Sequence, residues 1–314
     1  MADQPLSATT IVPADQPLAA ATITSPKAPA SLLARSFALM KPVTWFAPAW
    51  AYMCGTVASN GAHWTLPDMG RIALGTLLAG PILCGLSQVV NDYCDREVDA
   101  LNEPNRLIPS GQVSTRQVFI TIGVLAVLSI GLALALGQSV ALLTGLGMFL
   151  ALVYSVHPIR AKRNGWIGNA LVAIAYEGLP WLAGHVTFSG LTLVSVLIAL
   201  LYSVGAHGIM TINDFKSMDG DRVSGIRTIP VLHGAWGASW LAVITMNMAQ
   251  LFVIMMFAAW QRWAIAAIIA ALFVAQLPLQ RKFIQDPRGR AVFYNASGTT
   301  LFVWGMLAAA IGIR

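Results

Sequence analysis

Long hydrophobic stretches, separated by short polar segments, follow one another along most of the chain. There are nine of them, at 43–59, 71–92, 118–136, 140–156, 167–186, 191–213, 235–259, 263–279 and 291–312. Each is about long enough to cross a bilayer as a helix, although the first and fourth are short and would be tilted or partly interfacial. The pattern predicts an all-α integral membrane protein with nine transmembrane helices.

The polar segments carry positive charge mainly on one side of the predicted membrane. With a cytoplasmic N-terminus, 16 of the 19 Lys and Arg residues fall on the cytoplasmic side, and only Arg71, Arg262 and Arg314 fall outside. Cytoplasmic loops of membrane proteins retain an excess of basic residues, so this distribution favours nine spans with the N-terminus inside and the C-terminus outside. Eight or ten spans would break the alternation.

The N-terminal segment has a different composition. Residues 1–30 are rich in Ala, Pro, Thr and Ser, and the sequence ADQPL at Ala2–Leu6 recurs at Ala14–Leu18. Such low-complexity composition predicts disorder, and the segment lacks the basic start and apolar core of a secretory signal. We therefore expect a disordered tail over 1–30 and a single transmembrane domain over 31–314.

The overall composition agrees with a membrane protein. Hydrophobic residues make up 57% of the chain, charged residues only 10%, and the mean hydropathy is +0.69, which is too apolar for a soluble domain. The net charge is +6, but no basic stripe with interleaved aromatic residues indicates a nucleic-acid partner. The three cysteines lack metal-ligand spacing and are expected to be small buried hydrophobes.

The strongest chemical signal is the segment Asn91–Gly111, which begins where the second hydrophobic stretch ends. It contains five of the thirteen Asp and Glu residues, namely Asp92, Asp95, Glu97, Asp99 and Glu103. On a helix, Asp92, Asp95 and Asp99 would share one face over two turns, where they repel each other unless a cation lies among them. Carboxylates of this kind suit Mg²⁺ bound together with substrate phosphates. The segment therefore predicts a diphosphate site.

A second acidic segment follows the sixth stretch and repeats this pattern. Asn213, Asp214 and Asp221 have the spacing of Asn91, Asp92 and Asp99, and RTIP at Arg227–Pro230 mirrors RLIP at Arg106–Pro109. Ser217 stands where the first copy has Asp95. We expect internally duplicated acidic loops at the cytoplasmic ends of helices two and six, which together hold about two Mg²⁺ ions and one diphosphate. The alternative is that these are solvated loop acids.

A few basic and intramembrane residues are further candidates. Arg160, Lys162 and Arg163 could neutralise a diphosphate leaving group, or could simply anchor their loop on the cytoplasmic side. Glu177 lies inside the fifth stretch, where an unpaired carboxylate indicates a substrate role unless backbone groups freed near Pro180 pair with it. His185 and His207 lie in or near apolar stretches, and a structural role outweighs a catalytic one for both.

Several segments together resemble one family of membrane enzymes. They are KPVTWFAPAWAYMCG at Lys41–Gly55, the two acidic segments, NGWIGNA at Asn164–Ala170 and YEGLPW at Tyr176–Trp181. From Lys41 to about Val231 the chain resembles the UbiA-type intramembrane prenyltransferase superfamily. The motifs CDREVDALNEP and NDFKS are most similar to those of the bacteriochlorophyll synthase group, within the chlorophyll synthase branch of this superfamily.

The resemblance implies nine helices around a central cavity, Mg²⁺ as cofactor, a prenyl diphosphate donor and a lipophilic acceptor. Its metal motifs match Asn91, Asp92, Asp95, Asp99, Asn213, Asp214 and Asp221, with the aspartates as catalytic residues. Its diphosphate contacts match Arg106, Lys162, Arg163, Lys216 and Arg227. Glu177, His185 and His207 remain candidates for the acceptor pocket, and Ser217 is a feature expected of chlorophyll-type members.

For that branch the expected reaction joins geranylgeranyl or phytyl diphosphate to the propionate of bacteriochlorophyllide a and releases pyrophosphate. An ionised carboxylate needs no general base, which agrees with the lack of an obvious catalytic dyad. The resemblance also implies a multi-pass protein of the bacterial inner or intracytoplasmic photosynthetic membrane, with other pigment-synthesis or photosystem assembly proteins as further partners.

Other functions are compatible with parts of the pattern. A chlorophyll synthase, or a quinone or haem O prenyltransferase, would use the same acidic segments with another acceptor. A cation-coupled transporter would use intramembrane acids for ion binding, but those acids should lie near the middle of the bilayer rather than at helix ends.

Overall fold

A computed structural model describes residues 31–314, apart from the side chains of residues 101 and 102. The tail predicted over 1–30 lies outside the described residues, and the single domain over 31–314 stays a prediction. Within 31–314 the chain forms helices joined by short turns, and no strand occurs in this range. The predicted all-α membrane fold is confirmed.

The first part of the chain builds one short surface helix and two longer segments. These are α1 (Leu32–Leu39), α2 (Phe46–Ala58) and a continuous helix made of α3 (Leu66–Leu77) and α4 (Gly85–Asn102), which a π-helical turn at Leu78–Cys84 joins. The helix α3 begins at a capping box between Thr65 and Asp68. Pro81 lies within the π-helical turn, where the regular hydrogen-bond ladder is already interrupted.

The first acidic segment is helical as far as Asn102 and forms a loop only from Glu103 to Gly111. We predicted that the second hydrophobic stretch ends at residue 92, but α4 continues to Asn102. The helix continues because its carboxylates form ion pairs with basic residues of other segments. The term acidic loop therefore fits only the second copy, where a 3₁₀ turn at Asp214–Lys216 is followed by the six-residue helix α10.

Helices α5 to α9 form the middle of the chain. Their bounds are α5 (Thr115–Leu136), α6 (Gln138–Ser155), α7 (Gly165–Ala173), α8 (Leu179–Phe188) and α9 (Leu193–Asn213). Gly137 alone separates α5 from α6, and its φ of 132° is a conformation that only glycine adopts readily. A second π-helical turn, Ile174–Gly178, joins α7 to α8 in one continuous segment.

Four helices complete the chain, namely α10 (Met218–Val223), α11 (Ile229–Ala259), α12 (Trp263–Gln285) and α13 (Pro287–Ile313). Gly234 has a φ of 70°, so α11 is kinked there, and its straight part begins at the predicted residue 235. Asp286 caps α13 by accepting a hydrogen bond from the backbone of Gly289.

Seven of the described helical segments are long and apolar enough to cross a membrane. They begin at Leu66, Thr115, Gln138, Leu193, Ile229, Trp263 and Pro287. The first predicted span falls on α2, which has only 13 residues, and the fifth falls on the α7–α8 segment with its π-helical turn. The count of nine spans and the cytoplasmic N-terminus therefore stay predictions.

Close backbone contacts and polar pairs hold the helices together. A Cβ atom on Gly55 of α2 would overlap the backbone of Trp181 in α8, and one on Gly184 of α8 would overlap that of Tyr52. Between α11 and α12, Asn247 and Gln280 exchange hydrogen bonds of 3.0 and 2.7 Å. Small residues and interhelical amide bonds are the usual means of helix packing in membranes.

Candidate active site

A cavity of about 1190 Å³ lies among the helices, with walls from α2, α4, α6, α9, α13 and the α7–α8 segment. This volume exceeds that of a typical drug-sized pocket. Both π-helical turns contribute to its wall. Val43, Phe46 and Val292 line it while remaining 89, 63 and 76% exposed, so the cavity opens sideways between the starts of α2 and α13.

The first acidic segment forms one wall of the cavity at its polar end. Asn91, Asp95 and Asp99 line the cavity, as do Ser87 and Gln88 one or two turns earlier in α4. Residues four apart on a helix are rotated by only about 40°, which explains the shared face. The structure thus selects Asn91, Asp95 and Asp99 as the cavity-facing residues of this helix.

Asp92 does not share that face. Its carboxylate lies 2.5 Å from Nζ of Lys41 and 3.8 Å from Nη1 of Arg106, and it is absent from the cavity wall. Arg106 also pairs with Asp99 at 2.8 Å and with Glu103. Lys41 and Arg106 themselves line the cavity. Asp92 therefore positions Lys41 and Arg106, which line the cavity, through contacts made outside the cavity wall.

The basic loop between α6 and α7 packs against the acidic face of α4. Arg160 pairs with Asp95 at 2.7 Å, and Lys162 pairs with the same carboxylate and donates to Oδ1 of Asn91 at 2.9 Å. The side chains of both basic residues are only 8% exposed. The α4 face therefore carries buried cations next to its carboxylates.

The second acidic segment forms the facing wall. Asn213, Asp214, Lys216, Ser217 and Asp221 all line the same cavity. The two acidic segments and the basic loop are thus brought to one end of one cavity. This is the arrangement expected if both copies act on a single ligand.

The carboxylates of the second segment have amide and hydroxyl partners instead of cations. Asp214 accepts a hydrogen bond of 3.1 Å from Asn169, and Asp221 accepts one of 2.7 Å from Ser217. Oδ1 of Asn213 accepts one of 2.7 Å from Asn295 of α13. Among the residues that the structure describes, no lysine or arginine lies within ion-pair distance of Asp214 or Asp221. The positive charges of Lys216 and Lys162 act on Asp214 and Asp221 without direct contact.

The pKa shifts outside the spans reflect this difference. Burial lowers the pKa of Lys162, although the Asp95 carboxylate opposes the change. Burial raises the pKa of Asp221, although the bond from Ser217 opposes it. For Arg106 burial lowers the pKa, but the hydrogen bond to Glu103 and the charge of Asp99 outweigh it and raise the pKa. An additional cation beside Asp221 would therefore be favourable.

Three predicted diphosphate contacts do not line the cavity, and of these Lys162 is buried against Asn91 and Asp95, which do line it. Arg163 and Arg227 are exposed and do not line it. Two backbone hydrogen bonds instead connect these segments. The amide of Arg227 donates to the carbonyl of Arg163 at 2.9 Å, and the amide of Gly165 donates to the carbonyl of Arg227 at 2.9 Å. These contacts fix the basic loop to the second acidic segment.

The three acceptor-pocket candidates are placed very differently. Glu177 lines the cavity from the second π-helical turn and is 7% exposed. Both ring nitrogens of His185 have partners, the carbonyl of Gly190 at 3.1 Å and the hydroxyl of Ser195 at 3.0 Å. His207 stacks on Trp166 and does not line the cavity. A structural role therefore suits both histidines.

The sequence interpretation missed several residues at the polar end. Lys41, Tyr154, Asn169 and Asn295 line the cavity, whereas Arg160, predicted to neutralise the leaving group, contacts Asp95 without lining the cavity. Lys41 and Arg160 adopt left-handed φ values of 48° and 40°, which direct their chains toward α4. No sequence signal marks these partners, apart from the position of Lys41 in the KPVTW motif.

The oxygen-bearing side chains at the polar end of the cavity fit a divalent cation such as Mg²⁺. Asn91, Asp95, Asp99, Asn213, Asp214 and Asp221 supply only oxygen ligands of the hard type that Mg²⁺ prefers. Within the described residues, no three Asp, Glu, His or Cys side chains are close enough to form a metal site by themselves. Ligands from both walls and from a substrate would thus be needed together.

Comparison with known proteins gives a consistent result. The model of the UbiA prenyltransferase family matches residues 44–310. The chain is 57% identical over 288 residues to the bacteriochlorophyll synthase 34 kDa chain of Chloroflexus aurantiacus, covering 92% of this chain and 93% of that protein. It is 47% identical to the 33 kDa chain from Cereibacter sphaeroides, over 88% of this chain and 91% of that one.

More distant relatives share the fold. The chain is 38% identical to chlorophyll synthase from Avena sativa, over 87% of this chain and 74% of the relative. A UbiA homologue from Archaeoglobus fulgidus, solved with GPP and Mg²⁺, superposes with a TM-score of 0.64 at 18% identity, covering 85% of this chain and 99% of that one. With the family match spanning most of the chain, this protein belongs to the UbiA prenyltransferase family.

Proposed function

We propose that this prenyltransferase esterifies the propionate of bacteriochlorophyllide a with geranylgeranyl or phytyl diphosphate in a Mg²⁺-dependent reaction that releases pyrophosphate. The observation that carries the proposal is the convergence of two acidic segments and a buried basic loop at one end of a large cavity. The 57% identity to a bacteriochlorophyll synthase supports the choice of acceptor.

At the polar end, Asn91, Asp95 and Asp99 would hold Mg²⁺ from one wall, and Asn213, Asp214 and Asp221 from the other. Bound there, Mg²⁺ supplies positive charge to the diphosphate oxygens. Asp92, also predicted as a metal ligand, pairs with Lys41 and lies 3.8 Å from Arg106, so it holds these two basic residues in place.

The chain's own basic residues bind and stabilise the leaving group. Lys41, Arg106 and Lys216 line the cavity and act as donors to the diphosphate. Arg160 and Lys162 do not line it, but they add positive charge next to Asp95, which does. As the bond from allylic C1 to the diphosphate oxygen breaks, pyrophosphate leaves with the electron pair. A carboxylate oxygen of the propionate forms the new bond to C1, so no proton transfer is required.

The apolar remainder of the cavity excludes water from the reacting carbon. Leu83, Leu143, Leu150 and Val172 line this part, and the sideways opening gives a prenyl chain access from the lipid. Exclusion of water protects an electron-deficient allylic carbon from hydrolysis. The same lining suits a donor and an acceptor that both partition into the bilayer.

A direct test supplies purified protein with geranylgeranyl or phytyl diphosphate and one of three acceptors, bacteriochlorophyllide a, chlorophyllide a or 4-hydroxybenzoate. Mass spectrometry should identify esterified bacteriochlorophyllide, formed only with Mg²⁺. Asp95→Asn should abolish the product, whereas Glu97→Gln, which alters an exposed carboxylate paired with Arg96, should not. Product from 4-hydroxybenzoate alone would contradict the proposal, and preference for chlorophyllide would reassign the acceptor.

We also propose that the polar end faces the cytoplasm and that the protein resides in a bacterial inner or intracytoplasmic photosynthetic membrane. The support is the excess of basic residues on that side, 16 of 19. With the C-terminus outside, a fusion of alkaline phosphatase after Arg314 should be active in a bacterial host. An active cytoplasmic reporter at the same position would reverse the orientation.

A further inference from the structure

Glu177 is a buried carboxyl in the cavity wall that the reaction at the polar end does not use. It is 7% exposed, and within the described residues no hydrogen bond or ion pair reaches its carboxyl group. An unpaired carboxyl away from water costs several kcal/mol by order of magnitude. Glu177 lines the cavity, so a molecule that enters the cavity can supply a partner for its carboxyl group.

Local packing fixes Glu177 at a defined depth. The hydroxyl of the preceding residue, Tyr176, lies 2.8 Å from Nε2 of Gln88 and 3.2 Å from the hydroxyl of Ser87. Both partners precede Asp95 on α4 by seven or eight residues, which corresponds to roughly 10–12 Å along the helix. Glu177 therefore lies deeper than the diphosphate end of the cavity.

The π-helical turn holds this position rigidly. A Cβ atom on Gly178 would lie 2.6 Å from Oγ of Ser203 in α9, so the turn is packed tightly against the neighbouring helix. The turn also carries three consecutive cavity-lining residues, Ala175, Tyr176 and Glu177. Single π-helical turns inside α-helices frequently occur at functional sites.

The proposed acceptor offers a partner that a carboxylate can bind. A bacteriochlorophyllide is a magnesium chelate whose four ring nitrogens leave axial positions open, and Mg²⁺ prefers oxygen ligands. Its metal lies at the ring centre, whereas the reacting propionate lies at the ring edge. With the propionate at the diphosphate end and the ring extending into the cavity, the metal would lie deeper than the propionate, on the side of Glu177.

Other side chains near this depth are less suitable ligands. The Tyr176 hydroxyl is engaged by Gln88 and Ser87, and both nitrogens of His185 are engaged by Gly190 and Ser195. The remaining cavity carboxylates belong to the polar end or to its edge. Glu177 is the carboxylate that a ligand deeper in the cavity would meet.

We propose that Glu177 is an axial ligand of the magnesium in the tetrapyrrole acceptor and that it selects metal-bearing over metal-free acceptors. This inference rests on the proposed function, because it presupposes a bacteriochlorophyllide in the cavity. It adds a binding residue for the acceptor at a distance from the residues that bind the diphosphate.

The experiment compares the full-length protein with Glu177→Gln, Glu177→Leu and Glu177→His, and uses Glu97→Gln as the control outside the cavity. Binding of bacteriochlorophyllide a and of metal-free bacteriopheophorbide a is titrated without prenyl diphosphate. The absorption bands of the bound pigment report the number of axial ligands on magnesium. The ratio of kcat/KM for the two acceptors is then measured with prenyl diphosphate.

We expect Glu177→Leu to weaken binding of the magnesium pigment roughly tenfold or more, and to leave binding of the metal-free pigment unchanged. Glu177→Leu should shift the absorption bands toward fewer axial ligands, whereas Glu177→Gln keeps an oxygen donor and should have a smaller effect. Glu177→His should restore both the bands and the acceptor preference. Removing an unpaired buried carboxyl should also leave the ligand-free protein at least as stable to heat.

An equal loss of binding for both pigments, or unchanged absorption bands in Glu177→Leu, would overturn the inference, because either result would point to a packing or hydrogen-bonding role. A lower thermal stability of Glu177→Leu would likewise favour a structural role. These failures differ from failure of the proposed function, in which the unmodified protein would not esterify bacteriochlorophyllide at all.

Discussion

Replacing Asp95 with asparagine tests how charge is balanced at the polar end of the cavity. The Asp95 carboxylate contacts Arg160 at 2.7 Å and also pairs with Lys162. Asparagine has the same volume but no charge, so Asp95→Asn leaves two cations next to a neutral amide. Both cations are 8% exposed and cannot turn to solvent without moving the basic loop.

The expected cost follows from that burial. Removing one partner of a buried ion pair costs about 3–5 kcal/mol, mainly because an uncompensated charge remains. Lys162 keeps its 2.9 Å bond to Asn91, so we expect a value at the lower end, about 3 kcal/mol. Adding Lys162→Met removes one stranded cation, so the double variant should be more stable than additive single effects predict, by about 1 kcal/mol or more.

The assay is reversible unfolding in mixed detergent micelles, in a chelating buffer without substrate, for the parent, both single variants and the double variant. Glu97→Gln serves as the control, because its carboxylate is exposed and should contribute little. Additive free energies across the four proteins, or an Asp95→Asn variant as stable as the parent, would refute the argument that α4 depends on these cations.

Three further outcomes are expected. Arg106→Ala should raise the KM for prenyl diphosphate about tenfold or more, because a charge-assisted hydrogen bond to the substrate is lost. Arg163→Ala should leave the steady-state kinetics near those of the parent, because the Arg163 side chain lies outside the cavity. Gly184→Val should lower stability by about 1–3 kcal/mol in thermal unfolding, because α8 must move from α2, whereas Gly190→Ala has open space and should not. Chelation by EDTA should abolish prenyl transfer, added Mg²⁺ should restore it, and Asp221→Asn should require more Mg²⁺ for half-maximal rate.

The hydropathy pattern predicted most of the fold because each membrane helix is long and apolar independently of its neighbours. The stretch predicted at 191–213 corresponds to Leu193–Asn213, and the one at 118–136 to Thr115–Leu136. The two π-helical turns could not be predicted, because an inserted residue leaves no periodic signal over so few positions. The presence of Pro81 and Pro180 indicates only that the ladder is interrupted nearby.

The acidic motifs identified the two walls of the site but not the exact residues that face the cavity. Asp92, Asp95 and Asp99 satisfy helical spacing as well as Asn91, Asp95 and Asp99 do. Which set faces inward depends on how α4 packs against α6 and on the basic partners that reach it. Lys41 lies 51 residues from Asp92 in the chain, so this pair is a property of the tertiary structure alone.

The difference between the two copies of the acidic motif has a physical explanation. In the first copy, Asp92, Asp95, Asp99 and Glu103 are matched by Lys41, Arg106, Arg160 and Lys162. In the second copy, no basic residue within the described part of the chain pairs with Asp214 or Asp221.

A third carboxylate at residue 217 would add repulsion to these two carboxylates, whereas the Ser217 hydroxyl donates a 2.7 Å bond to Asp221. Serine therefore lowers the charge of this wall and orients a carboxylate that faces the cavity. The carboxylates of the first wall contact basic residues directly, whereas Asp214 and Asp221 do not, so the substitution at residue 217 follows from the surroundings of the second motif and does not signal a degenerate copy.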